Sequence, residues 1–302
     1  MRRRVWPAIE THICRLDDVE NRLPYTSIAI VWVEMERLDL SLSAVMARAA
    51  STYGRIGPDL FKAAAQGLVE EVGVDLQAHV LDLGCGPGTV ASLLSEAGRK
   101  GRVICVDLVL DMVCEARDRL ALSAGPNLDF VVMNAGELGF PDSLFDVVVC
   151  AGAIYQMPDG LRATREMLRV LRPDGIIGLS AFDAADPRWS GVGELYRRLL
   201  APLPPAGRRF DGQALAALLE DAGAIEVRLA ERRLDVVYAD AGEWLASAWS
   251  HGERRAFEAM DAQTYRAFVH ALPAAVEQAR QVDGRLHWRP KAIYACGRRS
   301  PT

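Results

Sequence analysis

No two cysteines in this 302-residue chain are spaced as CxxC. The six, at positions 14, 85, 105, 114, 150 and 296, are scattered, and Cys85, Cys105 and Cys150 fall in or beside apolar runs that read as central strands. Buried, reduced thiols fit that scatter better than a zinc site or a disulfide framework, and no metal is expected. Long apolar runs are missing too. Ile28 to Val33 is far too short to span a bilayer, so no membrane partner is expected. The basic start, Arg2-Arg3-Arg4, leads into Pro7, Glu10 and Asp17 rather than an apolar core, so no secretory leader is read and a cytoplasmic location is expected. Positive charge is not in excess. A formal net charge of -5 disfavours a dedicated nucleic-acid binder, because a polyanionic partner selects a basic surface. Histidine is scarce, at 12, 79, 251, 270 and 287, which leaves few candidates for a general base. Internal repeats and low-complexity segments are absent.

What is present is alternation. From His79 to Ala181, short apolar runs alternate with helical patterns across short connections, as in a doubly wound α/β sheet. Strands are expected at 79–83, 102–106, 128–132, 145–150 and 175–181, with helices at 88–97, 111–122 and 159–170. Leu171-Arg172-Pro173-Asp174-Gly175 reads as a helix stop and turn. Upstream, Ser43–Ala50 and Pro58–Val72 read as helices, and Tyr25 to Trp32 looks strand-like. Ser51–Gly57, with Tyr53, reads as a hinge over a pocket. Downstream, the proline-rich stretch 182–210 is an insertion with a short helix at Gly193–Leu200. A helix at 211–222, capped by Asp211 and stopped by Gly223, precedes a strand at 224–230. Residues 241–282 are expected to be mostly helical, and Pro290 to Gly297 to form a last edge strand. The organisation is therefore a helical lid region (1–75), a core (76–240) carrying the insertion, an acceptor-side helical cap (241–289) and a final strand with tail (290–302).

The strand Val80-Leu81-Asp82-Leu83 runs into Gly84-Cys85-Gly86-Pro87-Gly88, and a second strand ends at Asp107. Glycines at such a turn adopt dihedrals closed to other residues and let backbone amides touch a ligand. The third glycine comes one position too early for the dinucleotide spacing, and Thr89 stands in its place. Asp82, just before the turn, favours a cationic ligand over a diphosphate. Asp107 is placed to accept from two ribose hydroxyls.

Val80–Thr89 with Val103–Asp107, Asp111-Met112 and Leu171–Gly175 together resemble the class I S-adenosylmethionine-dependent methyltransferases. The similarity is greatest to the small-molecule type related to ubiquinone and menaquinone biosynthesis enzymes. It covers about residues 50–181 well and leaves 1–40 unmatched. The resemblance implies a Rossmann-like, doubly wound seven-stranded sheet with helical insertions forming a cap, in which 224–230 and 292–296 pair antiparallel at the edge. It implies S-adenosylmethionine as cofactor, with Gly84, Cys85, Gly86 and Gly88 along its methionine part, Asp107 and Leu108 at ribose and adenine, and Cys150 close by. Where the family often carries an acid after the third strand, this chain has Asn134, followed by Ala135; an asparagine there still pairs with adenine.

The loop after strand 145–150, Ala151 to Gln156, should lie nearest the transferred methyl, and Tyr155 can orient an acceptor oxygen. His251 is the first choice for a base and His287 the second. Tyr53, Trp189 and Trp249 suit an apolar or ring-bearing small-molecule acceptor, and the same aromatics suit an ordinary packed cap. Two alternatives remain at this level: a non-catalytic S-adenosylmethionine-binding protein and an NAD-dependent oxidoreductase. A homodimer is compatible with the sequence.

Overall fold

A computed structural model describes residues 39–96, 100–121, 127–200 and 210–301. The strand expected at Tyr25 to Trp32, and His12 and Cys14, lie outside them. At the centre is β1 (Val80–Leu83), whose four residues are all buried. It pairs in parallel with β2 (Val103–Asp107) on one side and β4 (Phe145–Ala151) on the other. Burial on both faces is why these strands read as unbroken apolar runs. Beyond β2 lies β3 (Leu128–Val132), parallel to it. Beyond β4 come β5 (Leu171–Asp183), then β9 (Lys291–Arg299), then β6 (Ala224–Arg233), the last two pairings antiparallel. The order β3-β2-β1-β4-β5-β9-β6 reverses direction between β1 and β4, and a crevice opens there at the carboxyl ends of the strands.

The crossovers are α3 (Thr89–Glu96), α4 (Leu110–Leu120) and α5 (Gly160–Val170). Before the sheet come α1 (Leu42–Ala49) and α2 (Leu60–Val72). The second begins after Pro58 rather than at it, because the Asp59 carboxylate caps it by accepting from the Lys62 amide at 2.8 Å. Helix α7 (Gly212–Ala222) has its cap on Asp211 and ends at Gly223, with φ +104°.

Two expectations are corrected. The final strand is not at the edge: β9 lies between β5 and β6, with Ala292 to Gly297 all buried, while mostly exposed β6 takes the edge. Nor does Pro173-Asp174-Gly175 separate helix from strand. Strand β5 already starts at Leu171, opposite Phe145, and the proline turn is an irregularity within it, with Asp174 at φ +62°.

The cap has its own core. A 3-10 turn at Pro187–Trp189 and α6 (Ser190–Leu199) pack with α8 (Ala241–Trp249), α9 (Arg254–Glu258) and α10 (Ala262–Val276) around Phe257, Phe268 and Leu272. Two short strands, β7 (Val236–Tyr238) and β8 (Leu286–Trp288), form a separate antiparallel pair that sequence patterning missed. Among the described residues no helix is long and apolar enough to cross a membrane, and no group of three side chains is arranged to hold a metal ion.

Candidate cofactor and acceptor site

The crevice is walled first by the turn between β1 and α3. Gly84 has φ +70°, and a Cβ there would lie 2.4 Å from the Ala153 Cβ, so only glycine fits. Gly86 has φ +53° and nothing within 4 Å of where a Cβ would stand. Bare backbone facing open space is what a closely held ligand requires.

Asp107 fastens this turn from β2. Its Oδ2 accepts from the Gly86 amide and its Oδ1 from the Val109 amide, each at 2.9 Å. Burial raises its carboxyl above the usual range, and those amides act against that rise. Each oxygen keeps a lone pair for a further donor.

Asp82 is the opposite case. It is fully buried, and neither carboxylate oxygen has a hydrogen-bond partner. Burial, with the negative Asp107 adding to it, pushes its carboxyl up to about 8. Unsatisfied buried acceptors are rare because each keeps its desolvation cost uncompensated. This one faces a cavity, so a ligand carrying positive charge and N–H donors would relieve it.

Two cavities share one groove. The narrow one, about 90 Å³, is lined by Asp82, Gly84, Cys85, Gly86, Thr89 and Ser180 and by the rings of Tyr53, Phe61 and Phe182. The wide one, about 490 Å³, is lined by Leu108, Met133, Asn134, Ala135, Gly136 and Arg162. Met46, Gly84, Asp107, Val109, Ala153 and Gln156 line both, which makes the cavities continuous. The aromatic wall is tightly built: Tyr53 and Phe61 centroids are 4.8 Å apart, and Phe182 meets Phe61 edge-on at 5.9 Å. Behind it the half-buried His251 ring stands 5.5 Å from Phe61 and 6.5 Å from Tyr53. Burial pulls the imidazole down to about 4, so it is neutral at neutral pH.

The structure thus gathers Asp82, Gly84, Cys85, Gly86, Asp107 and Tyr53 around the narrow cavity and Leu108, Asn134 and Ala135 around the wide one. The Asn134 Oδ1 also accepts from the Gly136 amide at 2.9 Å, which orients the side chain. Gly88 lines neither cavity and serves packing, since a Cβ there would meet Leu120 at 2.9 Å.

With Gly88, five further expectations are corrected. Cys150 is completely buried within β4 and reaches neither cavity, because the strand's alternation turns it into the core. Trp189 and Trp249 belong to the cap core; their indole N–H groups donate to the His287 carbonyl at 2.9 Å and the Tyr265 hydroxyl at 2.8 Å. His287 is no base for the groove: both ring nitrogens are engaged, Nδ1 at 3.0 Å from Asp235 and Nε2 at 3.0 Å from Asp283. Tyr155 lines neither cavity; its hydroxyl accepts from the Gln156 Nε2 at 3.0 Å, and Gln156 is the residue at the wall. Sequence reasoning missed Phe61, Phe182, Met46 and Ser180. Phe61 stood in the apolar stripe of a helix, where core and site are indistinguishable until Tyr53 and Phe182 are seen beside it.

Residues 80–175 match the family described as "Methyltransferase domain". The demethylmenaquinone methyltransferase of Listeria welshimeri is 31% identical over 170 residues, 50% of this chain and 71% of that protein. The ubiquinone/menaquinone biosynthesis C-methyltransferase UbiE of Hahella chejuensis is 34% identical over 138 residues, 45% of this chain and 55% of that one. Among solved structures, the YcgJ protein of Bacillus subtilis superimposes with a TM-score of 0.56 at 22% identity, over 79% of this chain and 98% of that one, and shares the fold. S-adenosylmethionine is the cofactor of this family and of this chain. This chain belongs to the class I S-adenosylmethionine-dependent methyltransferases, in the group related to demethylmenaquinone methyltransferase.

Proposed function

We propose that this enzyme methylates a small, largely apolar, ring-bearing acceptor by in-line displacement, with the acceptor entering against Tyr53, Phe61 and Phe182. The orphaned Asp82 carboxylate in the narrow cavity carries the reading. It would hold the amino group of the cofactor's methionine part. Asp107 would accept from the ribose hydroxyls with the lone pairs its amide bonds leave free, and Leu108, Asn134 and Ala135 would flank the adenine. When bound, S-adenosylmethionine supplies an electrophilic methyl on a sulfonium.

The protein's share is alignment and exclusion of water. The end of β4 and the loop after it offer only small residues at Ala151, Gly152 and Ala153, and the Gly152 amide is fixed by donating to the Ser180 Oγ at 3.0 Å. Helix α1 and the turn through Tyr53 cover the groove, so residues 43–60 would act as its lid. His251 lines neither cavity and burial holds its ring neutral, so it would act as a base only for an acceptor that reaches past Phe61 and Tyr53. The names of the relatives, built on quinone precursors, also favour a ring-bearing acceptor.

Calorimetry tests the cofactor side: S-adenosylmethionine and S-adenosylhomocysteine should bind at micromolar strength and NAD far more weakly, and equal NAD binding would sink the reading. Labelled S-adenosylmethionine with host metabolite extract and mass spectrometry identifies the acceptor; a strongly polar, ringless product would contradict the aromatic wall. His251→Ala should lower turnover and leave S-adenosylhomocysteine affinity nearly unchanged, and full activity would remove His251 from the reaction.

A further inference from the structure

Helix α1 is joined to the protein by two unlike seams. Its apolar side packs on the cofactor rim: Val45 and Met46 meet Met112, with Leu42, Tyr53 and Val109 around them. Val109 is the residue whose amide donates to Asp107, and Met46 lines both cavities. The turn after α1 is pinned to the same rim, because the Arg119 Nη2 donates to the Tyr53 carbonyl at 2.7 Å.

The other seam is ionic and leads to the cap. The Arg48 guanidinium grips the Glu258 carboxylate with two bonds, Nε to Oε1 at 3.0 Å and Nη2 to Oε2 at 2.6 Å. Arg254 closes the cluster, its Nε donating to Glu258 at 2.7 Å and its Nη1 to the Arg48 carbonyl at 3.0 Å. The Arg255 Nε donates to the Leu40 carbonyl at 3.0 Å. The Glu258 side chain is only 7% exposed, and the paired arginines hold its carboxyl below the usual range against the effect of burial. A two-pronged, sheltered pair of this kind fixes direction as well as distance. All these contacts end on α9, and α9 is entered through the turn Ser250-His251-Gly252-Glu253, whose His251 faces the aromatic wall.

We propose that Arg48 and Glu258 are positioning residues that couple the cofactor rim to the acceptor side: steadying α1 over a bound cofactor steadies α9 with it and holds His251 against Tyr53 and Phe61. The proposal rests on the cofactor reading above. The coupling runs through packed side chains and a charge pair that join contiguous elements. A bidentate, mostly sheltered pair can also contribute to fold stability, so the test below reads ligand-dependent protection rather than stability.

Hydrogen exchange read by mass spectrometry on the full chain, with saturating S-adenosylhomocysteine as probe, tests it without knowledge of the acceptor. In the wild type the ligand should slow exchange at 42–49 and also at 250–258, by about fivefold or more at the second segment. In Arg48→Ala the ligand should bind within about threefold of wild type and still protect 42–49, while protection at 250–258 disappears. The charge exchange Arg48→Glu with Glu258→Arg should restore it, which a merely structural role would not require. Wild-type binding without protection at 250–258, or full protection retained in Arg48→Ala, overturns the coupling. If Arg48→Ala does not fold, Glu258→Gln takes its place, and the wild-type experiment alone can still refute the proposal. No binding of S-adenosylhomocysteine at all would overturn the cofactor reading and this inference with it.

Discussion

The sheet rim and the cap treat their polar atoms in opposite ways. At the rim, Asp82 is buried with both oxygens unpaired, and Gly86 leaves bare backbone beside an open groove. In the cap, three indole N–H groups of half-buried or buried tryptophans find acceptors: Trp189 on the His287 carbonyl, Trp249 on the Tyr265 hydroxyl and Trp288 on the Ala184 carbonyl. The buried Tyr196 hydroxyl of the cap also lacks a partner, but it is one neutral oxygen among packed rings, whereas at the rim a whole carboxyl group is left unpaired beside a cavity. The tryptophans look more like binding residues in the sequence, yet the aspartate is the one left waiting.

That contrast can be broken from either side. Phe257→Ala, in the centre of the cap core at 0% exposure, should cost about 3–5 kcal/mol of stability and keep S-adenosylhomocysteine affinity within about threefold of wild type in calorimetry. A larger loss would mean that cap and rim are joined more tightly than through the Arg48–Glu258 pair. Asp107→Ala should do the reverse. Losing the ribose contacts and the hold on the Gly86 amide should weaken cofactor binding by about 3 kcal/mol or more, with a smaller change in melting temperature.

Asp82→Asn sharpens the comparison, because its two effects have opposite signs. Cofactor affinity should fall about tenfold, while the free protein gains stability at neutral and alkaline pH. The folded carboxyl titrates at about 8, above its unfolded value. Its favourable contribution is therefore complete at acid pH and is lost as pH rises through that value. The wild type should lose stability relative to Asp82→Asn between about pH 4 and about pH 8, in denaturant titrations without ligand. Parallel curves would show that Asp82 has a partner. The smallest effect belongs to His287, raised above its ordinary value by Asp283 and Asp235. The sign is again loss on deprotonation, so His287→Gln should lower the melting temperature at about pH 6 and hardly at all at about pH 9.

The rim was legible because its chemistry is local. A strand, a glycine turn and a carboxylate at the end of the next strand are neighbours in sequence, and backbone geometry dictates their types. Caps such as Asp211 were legible for the same reason. The acceptor wall was not, since Tyr53, Phe61 and Phe182 are brought together only by packing α2 over the end of β5, and nothing in each segment distinguishes a wall from a core. The three-residue strands β7 and β8 are too short for any periodicity to show. Strand β9 was misplaced although its apolar run was plain. Six consecutive buried residues fit a strand flanked on both sides, and that signal outweighs its position late in the chain.

The position of β9 has a consequence for synthesis. Strand β6 leaves the ribosome well before β9, its one neighbour in the sheet among the described residues, and the edge of β5 from Ile176 to Asp183 stays open until the same strand arrives. A nascent or truncated chain therefore displays an unpaired apolar edge of the kind that recruits other chains. The cofactor turn can be complete by then, but a chain lacking 291–299 should partition into aggregates rather than persist as a loose, ligand-binding fragment. Any label fused after Arg299 must leave that strand free to slide into place between its two antiparallel partners.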